Sequence, residues 1–272
     1  MKKLISLAVL AATTILAFAY DNELLEVKGG YRSYTKTHYA VTSKFGDYFR
    51  TVADKYEHSL DGSKRTAIKS LNAKDELLDQ TSFEYNADGT LAAMTLSDIT
   101  GSTTRIVYEY EDSRIKSESE FNSDGELCKK LIYKYADSKT TQSMYDATGK
   151  LMFRSISTCD EKCNVIECFN YNADGRLENS QKSTYLDDGR ISAIETFDLD
   201  GNKTGKTVYR YDAKGFISEI QIYATDTDII ERDIYKNDDF GNPKRISVYS
   251  VAEKFGAIAN ELVSITDYSY SK

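Results

Sequence analysis

The hydrophobic and polar positions of this chain follow one short rule. An aromatic residue precedes a polar turn, glycine closes the turn, and an aliphatic residue follows six places after the aromatic. Between Phe169 and Tyr223 the rule is written four times, at 169–177, 185–191, 197–203 and 209–217, with Lys203 in the aliphatic place of the third copy. The six-residue step recurs as Tyr85/Leu91, Phe121/Leu127, Tyr145/Leu151, Tyr171/Leu177, Tyr185/Ile191, Tyr211/Ile217 and Tyr223/Ile229.

The spacing predicts hairpins. In the copy at Phe83–Leu91, Asn86-Ala87-Asp88-Gly89 fits a type I turn. Asn suits the first position because its side chain bonds the backbone two residues on, and Gly suits the fourth, where φ is positive. Such a turn makes a three-residue loop with a bulge, which places Tyr85 opposite Leu91. Aromatic–aliphatic cross-strand pairs contribute roughly 0.2–1 kcal/mol each. Between the turns lie segments rich in Tyr, Ile, Val, Thr and Phe, such as Arg190–Phe197, Lys203–Tyr211, Phe216–Tyr223 and Lys244–Val251. These are strand formers.

From Gly62 onward turn signals return every 11–14 residues or so, the rhythm of an all-β chain. A two-strand unit therefore repeats about every 26 residues. The expected fold is a long antiparallel up-and-down meander of about seventeen short strands, coiled by strand twist into a superhelical repeat sheet. An open sheet of this kind leaves two edge strands that could pair with another copy. Two stretches are ambiguous. Phe45, Tyr48, Phe49, Val52 and Tyr56 share a helical face but lie between turn signals, and strand is the favoured reading. Ser250–Leu262 has capping-box spacing at Ser250 and Glu253, which leaves a short helix and a long loop equally open.

Residues 1–19 read as a secretory leader: Lys2 and Lys3, an apolar run from Leu4 to Phe18, and a small-x-small site at Ala17-Phe18-Ala19. The expected mature chain has irregular strands over 20–61 and the repeat region over 62–272. Removing the leader leaves 33 of the 35 Lys and Arg against 43 Asp and Glu, so the mature balance is −10. An acidic chain without a basic stripe argues against nucleic acid and anionic membrane surfaces. An outer-membrane barrel is rejected on its side chains. In Lys203–Tyr211 neither alternate row, Lys203/Gly205/Thr207/Tyr209/Tyr211 nor Thr204/Lys206/Val208/Arg210, could face hydrocarbon.

The motif at Phe83–Leu91, Phe169–Leu177 and Tyr209–Ile217 resembles the YD repeat of RHS-type proteins, and is similar to the shorter repeats of exported MORN-variant proteins. Gly175-Arg176-Leu177 and Gly189-Arg190-Ile191 match the YD repeat's Gly-Arg-Leu ending. The resemblance implies a coiled β-sheet and, for function, an extended surface for a protein or glycan partner. The MORN-variant likeness and the acidic balance also point to an alternative, an immunity-type protein that neutralises a toxin.

Little in the sequence points to chemistry. In an oxidising compartment the four cysteines default to disulfides. Cys159 and Cys163 flank a turn and could staple its tip, whereas Cys128 and Cys168 belong to strands three apart. A zinc site lacks the usual spacing. His38 and His58 have no nucleophile motif beside them, and Asp198, Asp200 and Asn202 alternate as calcium ligands do but read as turn chemistry. No catalytic residue, cofactor or metal is expected. The best candidates for a binding face are Tyr171, Tyr185, Tyr211, Tyr223 and Tyr235, which recur at similar strand positions. Left open they form an aromatic strip; covered by the coiling sheet they are core, which is the favoured reading. The expected protein is an exported, non-enzymatic binding protein of the periplasm or cell surface.

Overall fold

The structure, a computed structural model, describes residues 27–44, 47–254 and 256–272. The leader lies outside the described residues. The strands are β1 (Ser33–Lys44), β2 (Asp47–Asp61), β3 (Lys64–Leu71), β4 (Leu77–Tyr85), β5 (Leu91–Asp98), β6 (Thr103–Glu111), β7 (Arg114–Phe121), β8 (Leu127–Ala136) and β9 (Lys139–Asp146). They continue as β10 (Leu151–Cys159), β11 (Val165–Asn172), β12 (Leu177–Tyr185), β13 (Ile191–Asp198), β14 (Lys203–Tyr211), β15 (Ile217–Tyr223), β16 (Ile229–Asn237), β17 (Pro243–Lys254) and β18 (Ala257–Ser271).

Each strand pairs antiparallel with the next, as the meander requires. The loops have the expected chemistry. Gly89 N donates to Asn86 O at 2.9 Å and Asn86 N to Thr90 O at 2.8 Å, with Gly89 at a φ of +89°. In the loop after β5, the Asp98 carboxylate accepts from Thr100 N at 2.8 Å and Ser102 N at 3.0 Å. All seven aromatic–aliphatic pairs predicted from the six-residue step face each other in the ladders, each beside a bulge.

The sheet does not coil open. β1 pairs with β2 on one side and with β18 on the other, from Ser33 opposite Ser271 to Ala40 opposite Ser264. The eighteen strands therefore close into a barrel, and the edge strands expected at the two ends are each other's partners. At a spacing of about 4.8 Å and a tilt of about 40°, the wall measures roughly 110 Å around. Closure satisfies the backbone groups that an open sheet leaves bare at its two edges.

The two ambiguous stretches are strand. β2 carries Tyr48, Phe49, Val52 and Tyr56, while Phe45 lies outside the described residues. Ser250–Leu262 is neither helix nor long loop. It is the outer part of the β17–β18 hairpin, with Val251 opposite Asn260 and Lys254 opposite Ala257. Ladder hydrogen bonds along both strands override a helical spacing that lacks a helix partner to pack against.

Strand register divides the side chains into two faces. One carries charge ladders such as Glu167–Lys182–Glu195–Lys206, opposed in succession across four strands. The other carries most of the core. Three apolar clusters lie on it, one around Met94, Ile106 and Tyr108, one around Ile194, Tyr209 and Ile220, and one around Tyr34, Ile246, Val248 and Tyr268. Each is built from consecutive strands, so the core is a set of sectors along the wall. Val27 joins the third cluster. Its neighbour Lys28 is tied to the rim by Lys28 N to Asn242 Oδ1 at 2.9 Å and Asn242 Nδ2 to Lys28 O at 2.8 Å.

Candidate binding face

The tyrosines before the loops that follow even-numbered strands share one job. Tyr85, Tyr110, Tyr135, Tyr185 and Tyr211 donate their hydroxyls to the carbonyls of Arg65, Leu91, Ile115, Val165 and Ile191. Each acceptor starts the neighbouring strand, so each bond clasps the open end of a hairpin. Tyr270 does the same to Pro243 O at 2.8 Å, and Asn237 Nδ2 to Ile217 O at 2.7 Å. In three clasps a cation lies on the ring: Lys64 over Tyr85, Arg114 over Tyr135 and Arg190 over Tyr211. Burial pushes the Tyr85 and Tyr211 hydroxyls above the ordinary phenol range.

This placement separates the five tyrosines expected to line up. Tyr185 and Tyr211 lie on the core-bearing face, here the clasp face, at the rim shared with the N-terminal residues. Tyr235 is on the same face, opposite Ile246, beside a groove of about 370 Å³ between loops 212–216 and 238–242. Tyr171 and Tyr223 lie on the charged face at the other rim, opposite Arg154 and Lys206. The reason is chirality. A loop of one hand at the opposite end of a meander is related to the first by rotation about an axis lying in the sheet across the strands. That rotation exchanges front and back. The tyrosines therefore form no common strip.

A polar sector interrupts the clasp face between two of the aromatic clusters. Tyr133, Gln142, Ser155, Asn170 and Asn179 are opposed in succession from β8 to β12. Asn170 Nδ2 donates to Asn179 Oδ1 at 2.7 Å, and Ser155 Oγ lies 3.1 Å from Cys168 Sγ. Gln142 is 3% exposed, and its Oε1 accepts no hydrogen bond among the described residues. Beside this sector, Tyr133 donates to Oε1 of the fully buried Glu118, whose Oε2 has no partner among the described residues. Burial pushes the Glu118 carboxyl up to about 7 against the opposing pull of the Tyr133 hydroxyl. Glu118 is therefore partly protonated at neutral pH, and the sector carries little charge. Its polar burial gave no sequence signal, because Ser, Asn and Gln in a strand read as solvent-facing.

The other sequence candidates have structural partners. His58 stacks on Tyr34 at 4.1 Å between ring centroids, and His38 Nδ1 lies 3.1 Å from Thr266 Oγ1. Asp198 holds the backbone of its own loop through Asp200 N and Asn202 N. Cys159, the last residue of β10, and Cys163, in the loop after it, are free thiols, as are Cys128 and Cys168. Cys159 occupies the clasp position of its hairpin, where its backbone N, not a side chain, donates to Ser138 O at 2.7 Å. Cys163 occupies the glycine position at a φ of +65°.

No protein-family model matches the chain, and no curated protein matches it. Among solved structures it is similar to a porin-like protein from Bacteroides uniformis, at 9% identity and a TM-score of 0.48 over 89% of this chain and 98% of that one. A porin-like protein from Bacteroides vulgatus aligns at 12% identity and a TM-score of 0.36, over 89% and 98%. A LolA superfamily protein from Nitrosomonas europaea aligns at 10% identity and a TM-score of 0.22, over 90% and 86%. The barrel assignment rests on the strand pairing, not on these likenesses.

Proposed function

We propose that the chain is an exported, non-enzymatic barrel that binds a protein or glycan partner in the bacterial envelope through the polar sector of its clasp face. The observation that carries this reading is the row Gln142–Ser155–Asn170–Asn179 set between aromatic clusters. A buried polar side chain whose hydrogen bonds are incomplete costs stability, and a ligand supplies the partner that Gln142 Oε1 lacks among the described residues. The leader-like start at Lys2 and Lys3 supports export. The charged face, with the pairs Arg105–Glu84 and Arg232–Glu219, argues for a wall standing in water, and the buried Glu118, Gln142 and Asp233 keep the clasp face from being uniformly apolar. Neither offers lipid a continuous apolar band. The YD-type reading of the repeat rests on its hairpin motif.

The test has two parts. Protease shaving of intact cells, with a lysed control, locates the mature chain outside the cell or in the periplasm. Capture of envelope components by the purified protein is then compared with capture by Asn170→Ala/Asn179→Ala, two exposed or half-buried positions of the row. Equal capture by both proteins, or none by either, overturns the proposal.

A further inference from the structure

Four strands run past the rim opposite the clasps. β1 and β18 are paired only as far as Ala40 and Ser264, β2 joins β3 only from Lys55, and β17 leaves β16 after Ser250. Beyond those points the β1–β2 and β17–β18 hairpins continue as two free arms, each about four residue pairs or roughly 13 Å long. Asp47, Tyr48, Phe49, Arg50 and Thr51 are all exposed, so neither face of that strand is covered. Tyr48 is 59% exposed, Phe49 53%, and Ile258 on the other arm 77%. Among the described residues, the outer backbone edge of Asp47–Asp54 has no ladder partner. A lone two-stranded hairpin is marginally stable in water, and a bare edge is a template for another strand.

We propose that this edge pairs antiparallel with the same edge of a second copy, giving a two-fold dimer of barrels. The sequence of the edge is self-complementary. An antiparallel pair related by a two-fold axis has one residue opposite itself, and Phe49 fills that place. Phe49 then faces Phe49, Tyr48 faces Arg50, and Asp47 faces Thr51. The central contact is an aromatic pair and no like charges oppose each other; Arg50, beside the partner's Tyr48, already lies over its own Tyr39 ring at 4.9 Å and 3.6 Å from Asp267. Centring the pair on Arg50 would oppose two arginines. The register on Phe49 also stops short of the irregularity in β2 between Val52 and Asp54.

The test is the mass of the mature protein by size exclusion with light scattering at concentrations up to roughly 100 µM. The expected result is a dimer. Phe49→Glu places two carboxylates on the axis and should weaken the dimer roughly tenfold or more, with circular dichroism unchanged. Leu199→Glu, on an exposed loop of the same rim, should stay dimeric. A second readout is independent of dimer strength. In Cys163→Ser protein, Phe49→Cys should cross-link on mild oxidation with a small disulfide, because directly opposed residues lie within disulfide reach. Tyr48→Cys should not. A monomeric wild type overturns the proposal, and a monomer that binds phosphatidylcholine vesicles through Phe49 would assign the arms to lipid instead. A dimer indifferent to Phe49→Glu, with no Phe49→Cys cross-link, places the interface elsewhere and also overturns it.

Discussion

The Tyr211 hydroxyl donates to the Ile191 carbonyl at 2.6 Å, while Arg190 lies 4.3 Å above the same ring. One aromatic side chain thereby holds the first residue of the strand beside it and the loop residue before that. Tyr211→Phe keeps the ring and loses the bond. It should cost about 0.5–1.5 kcal/mol, read by urea denaturation. Tyr171→Phe, at the other rim and on the other face, should cost less, because Tyr171 makes no such clasp.

Glu118 makes stability depend on pH. Its folded-state carboxyl is pushed up to about 7 by burial, against roughly 4.3 in the unfolded chain. The folded state therefore holds its proton over a range where the unfolded state has lost it. Stability is full below about pH 4 and falls by roughly 4 kcal/mol as pH rises through 7. Glu118→Gln should flatten that slope and raise the melting temperature at pH 8 relative to pH 5. A parallel shift of both proteins across this pH range would contradict the assignment.

Two glycines at the same loop position should differ. At Gly201 an added Cβ would meet nothing within 4 Å, so Gly201→Ala carries only the strain of a φ of +81°, about 1–2 kcal/mol. At Gly241 the Cβ would lie 2.6 Å from the Phe216 ring. Gly241→Ala should therefore be the more damaging in thermal melts.

Cys163 is the reverse case. It holds a φ of +65° that most loops of this chain assign to glycine. Cys163→Gly should stabilise the reduced protein by about 1 kcal/mol, measured by melting in the presence of a thiol reductant.

Gln142 links stability to binding. Gln142→Met removes a buried oxygen that lacks a partner and keeps the side chain's length. The variant should be as stable as the parent or about 1 kcal/mol more so, and poorer at capturing the partner. Loss of stability with capture intact would show that the sector serves the wall alone.

Local chemistry was legible in the sequence because it is local. Asn86 to Gly89 contain everything a type I turn with a left-handed glycine needs, and the loop length alone sets Tyr85 against Leu91. The sequence therefore determined the strand rhythm, the meander and all seven aromatic–aliphatic pairs. The hairpin tip beyond Val251 was missed because helical and strand spacings coincide over so short a run, and only pairing with Ala257–Asn260 selects strand. Closure was decided in three dimensions. Ser33 meets Ser271 across nearly the whole described chain, and nothing near either residue differs from an ordinary edge strand. The separation of Tyr171 and Tyr223 from Tyr185 and Tyr211 was also tertiary. The four look alike in sequence, but a chiral loop must address opposite faces at the two ends of a sheet. Whether Gln142 and Glu118 are buried or wet likewise follows from which neighbours the closed wall brings over them, and a strand's own alternation carries no record of that.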